Sequence, residues 1–107
     1  MLSNEVSFQY CSDNSSIYPE EYKLYQNFPQ SFYRITNIGF DLPENTTVKL
    51  AIYDVYGRDI VILIEKDLGP GSYEVKWNTY NLKPGIYFYK LKAGDYVESK
   101  KMFLLKN

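Results

Sequence analysis

Hydrophobic and polar residues alternate along the chain from residue 22 onward, and no stretch of useful length has the period of a helix. Val48, Leu50 and Ile52 illustrate the pattern, because the residues between them belong to the opposite strand face. Turn clusters rich in Gly, Pro and Asn separate the alternating stretches. The pattern predicts strands over residues 22–25, 35–41, 48–53, 60–65, 73–78, 86–92 and 96–106. Short strands at this spacing favour an all-β fold, an Ig-like antiparallel β-sandwich of about seven strands.

The rest of the pattern sets the boundaries of the domain. Residues 1–21 lack a sustained pattern and predict a linker or N-terminal arm, in which residues 1–10 alternate enough for a short strand or an ordered arm. Residues 22–107 then form one β-sandwich domain, as expected for a chain of 107 residues. Residues 60–65 are β-branched and apolar, which predicts a strand covered on both faces. Trp77 lies on an alternating strand, which favours a core position over an exposed sugar-stacking one.

Composition removes most kinds of catalysis. The chain has no His and a single Cys, Cys11, which excludes His-based triads, His-ligated metal sites and disulfide scaffolds. No phosphate-binding glycine loop or metal-ligand cluster occurs. A pair of carboxylates would suffice for a glycosidase, but the Asp and Glu residues lie mostly in turns or on outward strand positions. We therefore expect no enzymatic activity and no cofactor.

The charge distribution bears on partners. A net charge of −1 argues against nucleic-acid binding. The longest apolar run is too short for a membrane helix, and the first residues show no signal peptide. Residues 83–107 carry six lysines against two carboxylates, a local charge of +4. This basic end is interpreted either as solvated strand faces or as a surface that docks on an acidic partner.

Four turn residues have physical reasons of their own. Gly57 lies between two strands where a positive φ is expected, and Arg58 beside it is placed to pair with Asp54 or Asp59. Pro84 followed by Gly85 matches the order of a type II turn. Gly94 lies in the next connection, between the last two strands.

Six segments between residues 22 and 107 form an ordered set of motifs that covers about four-fifths of the chain. The segments are YKLYQNFP at 22–29, IGFDLP at 38–43, VKLAIYDVYGR at 48–58, GSYEVKWN at 71–78, LKPGIYFYKL at 82–91 and KKMFLLK at 100–106. In this order they resemble a known family, the type A C-terminal sorting domain of type IX secretion in Bacteroidota, and also the related Ig-like domain of the flagellar hook-capping protein.

The resemblance implies a noncatalytic export signal. A protein carrying such a domain enters the periplasm by its own signal peptide, and an outer-membrane translocon recognises the folded domain. A sortase-like peptidase then removes it, here within residues 10–22, and the cargo is secreted or retained on the cell surface. The expected recognition residues are Gly85, Tyr87, Lys100, Lys101 and Lys106, whereas Gly57, Arg58, Pro84 and Gly94 belong to the turns of the fold.

One segment departs from the family, and it motivates an alternative. Where the family usually has Asn-Pro-Phe-Asn-Pro, residues 30–34 read QSFYR, which keeps Phe32 and loses two prolines. Because proline lacks an N–H, this version is expected to be more flexible or to pair with a strand edge. The alternative function is a structural or adhesion module that forms a homo-oligomer through edge strands or binds surface glycans.

Overall fold

The computed structural model describes residues 3–9, 19–79 and 82–105, in which every regular element is a β-strand. Seven strands have seven or more residues, and two have only two residues. In chain order they are β1 (Ser3–Gln9), β2 (Lys23–Leu24), β3 (Ser31–Phe32), β4 (Ile35–Leu42), β5 (Thr46–Tyr53), β6 (Asp59–Leu68), β7 (Gly71–Asn78), β8 (Gly85–Ala93) and β9 (Tyr96–Leu104). The predicted all-β fold is confirmed.

The strands form two sheets that enclose one core. The four-stranded sheet has the order β1-β7-β4-β2, and the five-stranded sheet has the order β3-β9-β8-β5-β6. All pairs are antiparallel except β3 with β9, which run parallel. The sandwich prediction is therefore confirmed, with one parallel pair. That pair forms where residues 25–30 carry the chain from the β2 edge of one sheet to the β9 edge of the other.

The core follows the predicted alternation. Val48, Leu50 and Ile52 are fully buried on β5. Trp77 is also fully buried, which confirms a core position for the single tryptophan. Tyr87, Tyr89 and Leu91 share the inward face of β8, where their exposed fractions are 8%, 0% and 0%. Alternate positions on each strand therefore supply a common apolar layer.

The expectation for residues 60–65 was wrong in one respect. These residues lie in β6, an edge strand of the five-stranded sheet, and the outer face of this strand is not covered. Leu63 and Ile64 are buried, whereas Ile62 is 41% exposed. The register between β5 and β6 shifts twice, and such irregularities allow two consecutive side chains to turn toward the core. A run of apolar residues in the sequence does not reveal such a shift in register.

The first strand lies outside the segment expected to form the sandwich. Residues of β1 pair with β7 from Gln9 opposite Ser72 to Ser3 opposite Asn78. The described part of residues 1–21 thus contributes an additional edge strand to the four-stranded sheet. Cys11 and most of the expected cleavage segment lie outside the described residues.

Residues 30–34, the segment without the family's prolines, were expected either to be more flexible or to pair with a strand edge. The structure shows pairing with the edge of β9. The carbonyl of Gln30 accepts the N–H of Phe103 at 3.1 Å, and the carbonyl of Phe32 accepts the N–H of Leu105 at 2.7 Å. In both of these bonds the segment supplies the acceptor, a group that proline also has. These two bonds consequently do not depend on the loss of the prolines. The preceding Phe28–Pro29 peptide bond is cis.

Candidate recognition surface

The β8–β9 hairpin contains all of the described residues that were expected to take part in recognition. The pairing of β8 with β9 is antiparallel and continues for nine residue pairs without a register shift. It places two expected residues near the open end of the hairpin and two near its middle. They are Gly85, Tyr87, Lys100 and Lys101. Lys106 lies outside the described residues.

The two lysines occupy opposite faces of β9. Lys101 is exposed on the outer face of the five-stranded sheet, and its Nζ atom lies 5.7 Å from the centre of the Phe103 ring. Lys100 lies on the inward side, at the rim of the sandwich, where Nζ is 3.4 Å from an oxygen of Glu98. Consecutive strand residues point in opposite directions. The adjacent lysines therefore do not share one face of the sheet.

Glu98 has a second partner. The hydroxyl of Tyr96 donates a hydrogen bond to its carboxylate, and this bond, assisted by Lys100, lowers the pKa of Glu98. The pKa of Tyr96 is raised to about 12, mainly by burial and to a smaller extent by the same hydrogen bond. The ring of Tyr96 stacks on Tyr22 with the ring centres 5.3 Å apart, which links the rim of β9 to the start of the other sheet.

The side chain of Tyr87 is directed inward and contacts the turn that precedes β8. Its hydroxyl donates to the carbonyl of Lys83 at 2.6 Å, while its ring is buried, and burial raises the pKa of the phenol. Gly85 has a φ of +151°, which is more extended than the φ of about +80° in an ideal type II turn. The position still favours glycine, because a side chain there rarely adopts that φ.

The outer face of β5, β8 and β9 is basic. Every charged side chain that these three strands direct outward is a lysine, and their carboxylates do not lie on this face. The lysines are Lys49, Lys90, Lys92 and Lys101. Acidic residues enter this face from β6, where Glu65 lies opposite Lys49, and from the β5–β6 turn, where Asp54 lines the same surface as Phe88 and Lys90. The side of the face toward β9 is therefore the more positive one.

Aromatic rings share this outer face, and several exposed rings on one face are what the binding of surface glycans would require. Tyr53 lies opposite Phe88, and Phe103 lies on the neighbouring strand. Lysine ammonium groups lie over two of these rings, Lys90 at 5.2 Å from the centre of Tyr53 and Lys101 over Phe103. These cation–π contacts occupy ring surface that a sugar would need for stacking.

Residues 26 and 27 join the two sheets in a way that sequence reasoning missed. Asn27 is 2% exposed, and its side-chain amide donates to Thr36 Oγ1 at 3.0 Å and to the Pro29 carbonyl at 2.9 Å. Gln26 Nε2 lies 2.6 Å from Asn27 Oδ1 and donates to the Lys101 carbonyl at 2.8 Å. The only signal in the sequence was a polar pair inside the aromatic motif at residues 22–29.

The turn between β5 and β6 is built as predicted. Gly57 has a φ of +82°, and Arg58 Nε lies 2.9 Å from Asp54 Oδ2. Asp54 Oδ1 also accepts the backbone N–H groups of Arg58 and Tyr56 at 3.0 and 2.9 Å. The backbone bond from Arg58 is the main reason why the pKa of Asp54 lies below its usual value. Gly94, with a φ of +60°, makes the corresponding turn between β8 and β9.

Within residues 3–9, 19–79 and 82–105, no group of three or more acidic or Cys side chains is placed to hold a metal ion. The same ranges contain no helix with the length and apolar character needed to cross a bilayer.

Comparison with known proteins gives a family match. A family described as "Secretion system C-terminal sorting domain" matches residues 28–105, which include β3 to β9. No curated protein and no solved structure matched the chain. The matched family is one of sorting signals and not a catalytic family. The matched range spans well over half of the 107 residues, so the chain belongs to the family of C-terminal sorting domains of type IX secretion.

Proposed function

We propose that residues 22–107 are a noncatalytic sorting signal that directs an upstream cargo across the outer membrane by the type IX system. The observation that carries this proposal is the family match over residues 28–105. The proposed partners are the outer-membrane translocon, which binds the folded domain, and a sortase-like peptidase, which cleaves within residues 10–22. The cargo then reaches the cell surface or the medium.

The geometry supports distinct roles for the residues at the proposed recognition surface. Lys101 is exposed on the basic outer face, and Lys100 is partly exposed at the rim, so both are accessible to a partner. Gly85 is exposed at the open end of the same hairpin. Tyr87 is a positioning residue, because its hydroxyl fixes the Lys83 carbonyl in the preceding turn.

A reporter fusion tests the proposed function. A periplasm-targeted fluorescent protein joined to residues 1–107 is expected in the medium or at the surface of a type IX-competent host. It should remain in the periplasm of a host that lacks the translocon, and so should a fusion without residues 22–107. Translocon-independent secretion of the intact fusion would contradict the proposal.

Two kinds of variant separate recognition of the fold from recognition of a linear peptide. Deleting residues 100–107 would remove Met102 and Leu104 from the core, so it cannot isolate a recognition defect. Leu50→Asp places a charge at a fully buried position and should unfold the domain and abolish secretion. Lys100→Gln combined with Lys101→Gln should reduce secretion of a domain that still folds. Secretion of the unfolded Leu50→Asp fusion would refute recognition of the folded domain.

A further inference from the structure

We infer that the outer edge of β9, from Val97 to Lys101, is a strand-acceptor site for an extended, acidic segment of the secretion machinery. This inference rests on the proposed function and specifies how the partner would bind. In such a mode, main-chain hydrogen bonds supply affinity, and alternate side chains supply specificity.

The direction of the backbone groups follows from two observed hydrogen bonds. The N–H of Phe103 donates to the carbonyl of Gln30, just before β3, and the N–H of Leu105 donates to that of Phe32 in β3. Both N–H groups therefore point away from β8. Backbone groups of alternate residues in a strand point to the same side. The register with β8 is unbroken from Leu104 back to Tyr96. Val97, Ser99 and Lys101 therefore also direct their N–H and C=O groups to the outer edge.

Most of this edge has no strand beside it in the part of the chain that the structure describes. β3 pairs with β9 only at Phe103 and Leu104. The Lys101 carbonyl is occupied by a side chain, since it accepts a hydrogen bond from Gln26 Nε2 at 2.8 Å. Val97 and Ser99 have neither kind of partner at this edge among the described residues. A row of outward-facing donors and acceptors therefore begins where β3 ends.

The edge is also regular and accessible, unlike the opposite edge of the same sheet. β6 forms that opposite edge, and its pairing with β5 contains two register shifts, a feature that discourages strand addition. β9 pairs with β8 without a shift. Val97 is 53% exposed, and Ser99 and Lys101 are exposed as well. No side chain of these three residues has to leave a core for a strand to be added.

The positive charge beside this edge favours an acidic partner segment. Lys101 lies on the outer face beside the edge, where the outward charges of β8 and β9 are all lysines. Glu98 does not neutralise it, because Glu98 points to the other side and is bound by Tyr96 and Lys100. A strand added next to Lys101 would place alternate side chains on this outer face. Acidic side chains at those positions would complement it.

The decisive experiment removes one edge N–H without changing the ladder to β8. Ser99→Pro deletes an outward donor at an edge position, where proline is tolerated, and Ser99→Ala is the matched control that keeps the donor. In the reporter fusion, Ser99→Pro should lower secretion at least tenfold, and Ser99→Ala should leave it unchanged. Circular dichroism and thermal unfolding verify that both domains fold. Wild-type levels of secretion by a folded Ser99→Pro domain would overturn this inference and would leave the proposed function intact.

A second pair of variants decides the matter if Ser99→Pro does not fold. Lys101→Glu alters the charge at the edge, and Lys66→Glu makes the same change at an exposed position of β6, the opposite edge of the sheet. Lys101→Glu should reduce secretion at least tenfold, and Lys66→Glu should have little effect. Equal losses, or no loss with Lys101→Glu, would overturn the site. A wild-type dimer in size-exclusion chromatography that Ser99→Pro dissociates would assign the edge to a second copy instead. Failure of the translocon-deficient host to retain the wild-type fusion would overturn the proposed function together with this inference.

Discussion

The hydroxyl of Tyr89 accepts the backbone N–H of Asn27 at 2.7 Å, although the two residues are 62 positions apart. The same hydroxyl donates to the carbonyl of Tyr25 at 2.8 Å. Tyr89 belongs to β8 in one sheet, and these backbone groups belong to the segment that follows β2 in the other. A single phenol thus ties together the two layers beside the β9 edge, and burial raises the pKa of that phenol.

Tyr89→Phe is expected to destabilise the domain. The substitution leaves the Asn27 N–H and the Tyr25 carbonyl without this partner, and a buried unsatisfied polar group costs about 1–3 kcal/mol. Urea unfolding should therefore show a lower midpoint with an unchanged slope. Tyr33→Phe is the control, because Tyr33 is 61% exposed. An equally stable Tyr89→Phe domain would show that the hydroxyl contributes nothing net.

This relationship marks the limit of what the sequence could predict. The inward face of β8 was predictable, because Tyr87, Tyr89 and Leu91 recur with the strand period. The opposite orientation of Lys100 and Lys101 follows from the same period. The partner of Tyr89 did not follow, because it depends on how residues 25–30 cross between the sheets. Periodicity describes one strand at a time and carries no information about such a distant contact.

The short strand β3 was missed for a related reason. Its two residues are too few to show an alternation, and its neighbour β9 lies more than 60 positions away in the chain. The orientation of the apolar residues in β6 was also not predictable. Register shifts against β5, and not composition, decide which of them face the core. The parts of the candidate surface that could be predicted are therefore those within the β8–β9 hairpin, whose turn and alternation are local.

Gly57→Ala should lower stability through the backbone alone. Gly57 has a φ of +82°, and a Cβ atom placed there would meet nothing within 4 Å. The expected cost is about 1–2 kcal/mol, the penalty for an L-residue in the left-handed region. Gly57→Asn should cost less, because Asn tolerates positive φ better than Ala. Thermal unfolding of the two variants checks the order, and equal stabilities would refute the backbone explanation.

Asp54 should make the stability of the domain depend on pH in the acid range. The backbone N–H of Arg58 and then that of Tyr56 bind the carboxylate and lower its pKa below the model-peptide value of 3.8. A group with a depressed folded-state pKa contributes stability above its unfolded pKa and loses that contribution as the pH falls through the folded value. The wild type should therefore exceed Asp54→Asn in stability at pH 7, and the difference should shrink below pH 4. Urea unfolding at pH 7, 4 and 3 measures it, and a difference that stays constant with pH would contradict this assignment.

Phe32 should be a major stabilising residue although it lies in a two-residue strand. It is 2% exposed, and the centre of its ring lies 6.2 Å from that of Trp77 in the core. Phe32→Ala would leave a cavity between the sheets, at a cost of about 3–5 kcal/mol. Phe28, four positions earlier, is 77% exposed, so Phe28→Ala should change the free energy of unfolding by no more than about 0.5 kcal/mol. Denaturation followed by the fluorescence of the single tryptophan compares the two variants directly. Similar losses for both would mean that β3 does not anchor the segment to the core, and a small loss for Phe32→Ala would mean that the sandwich closes without it.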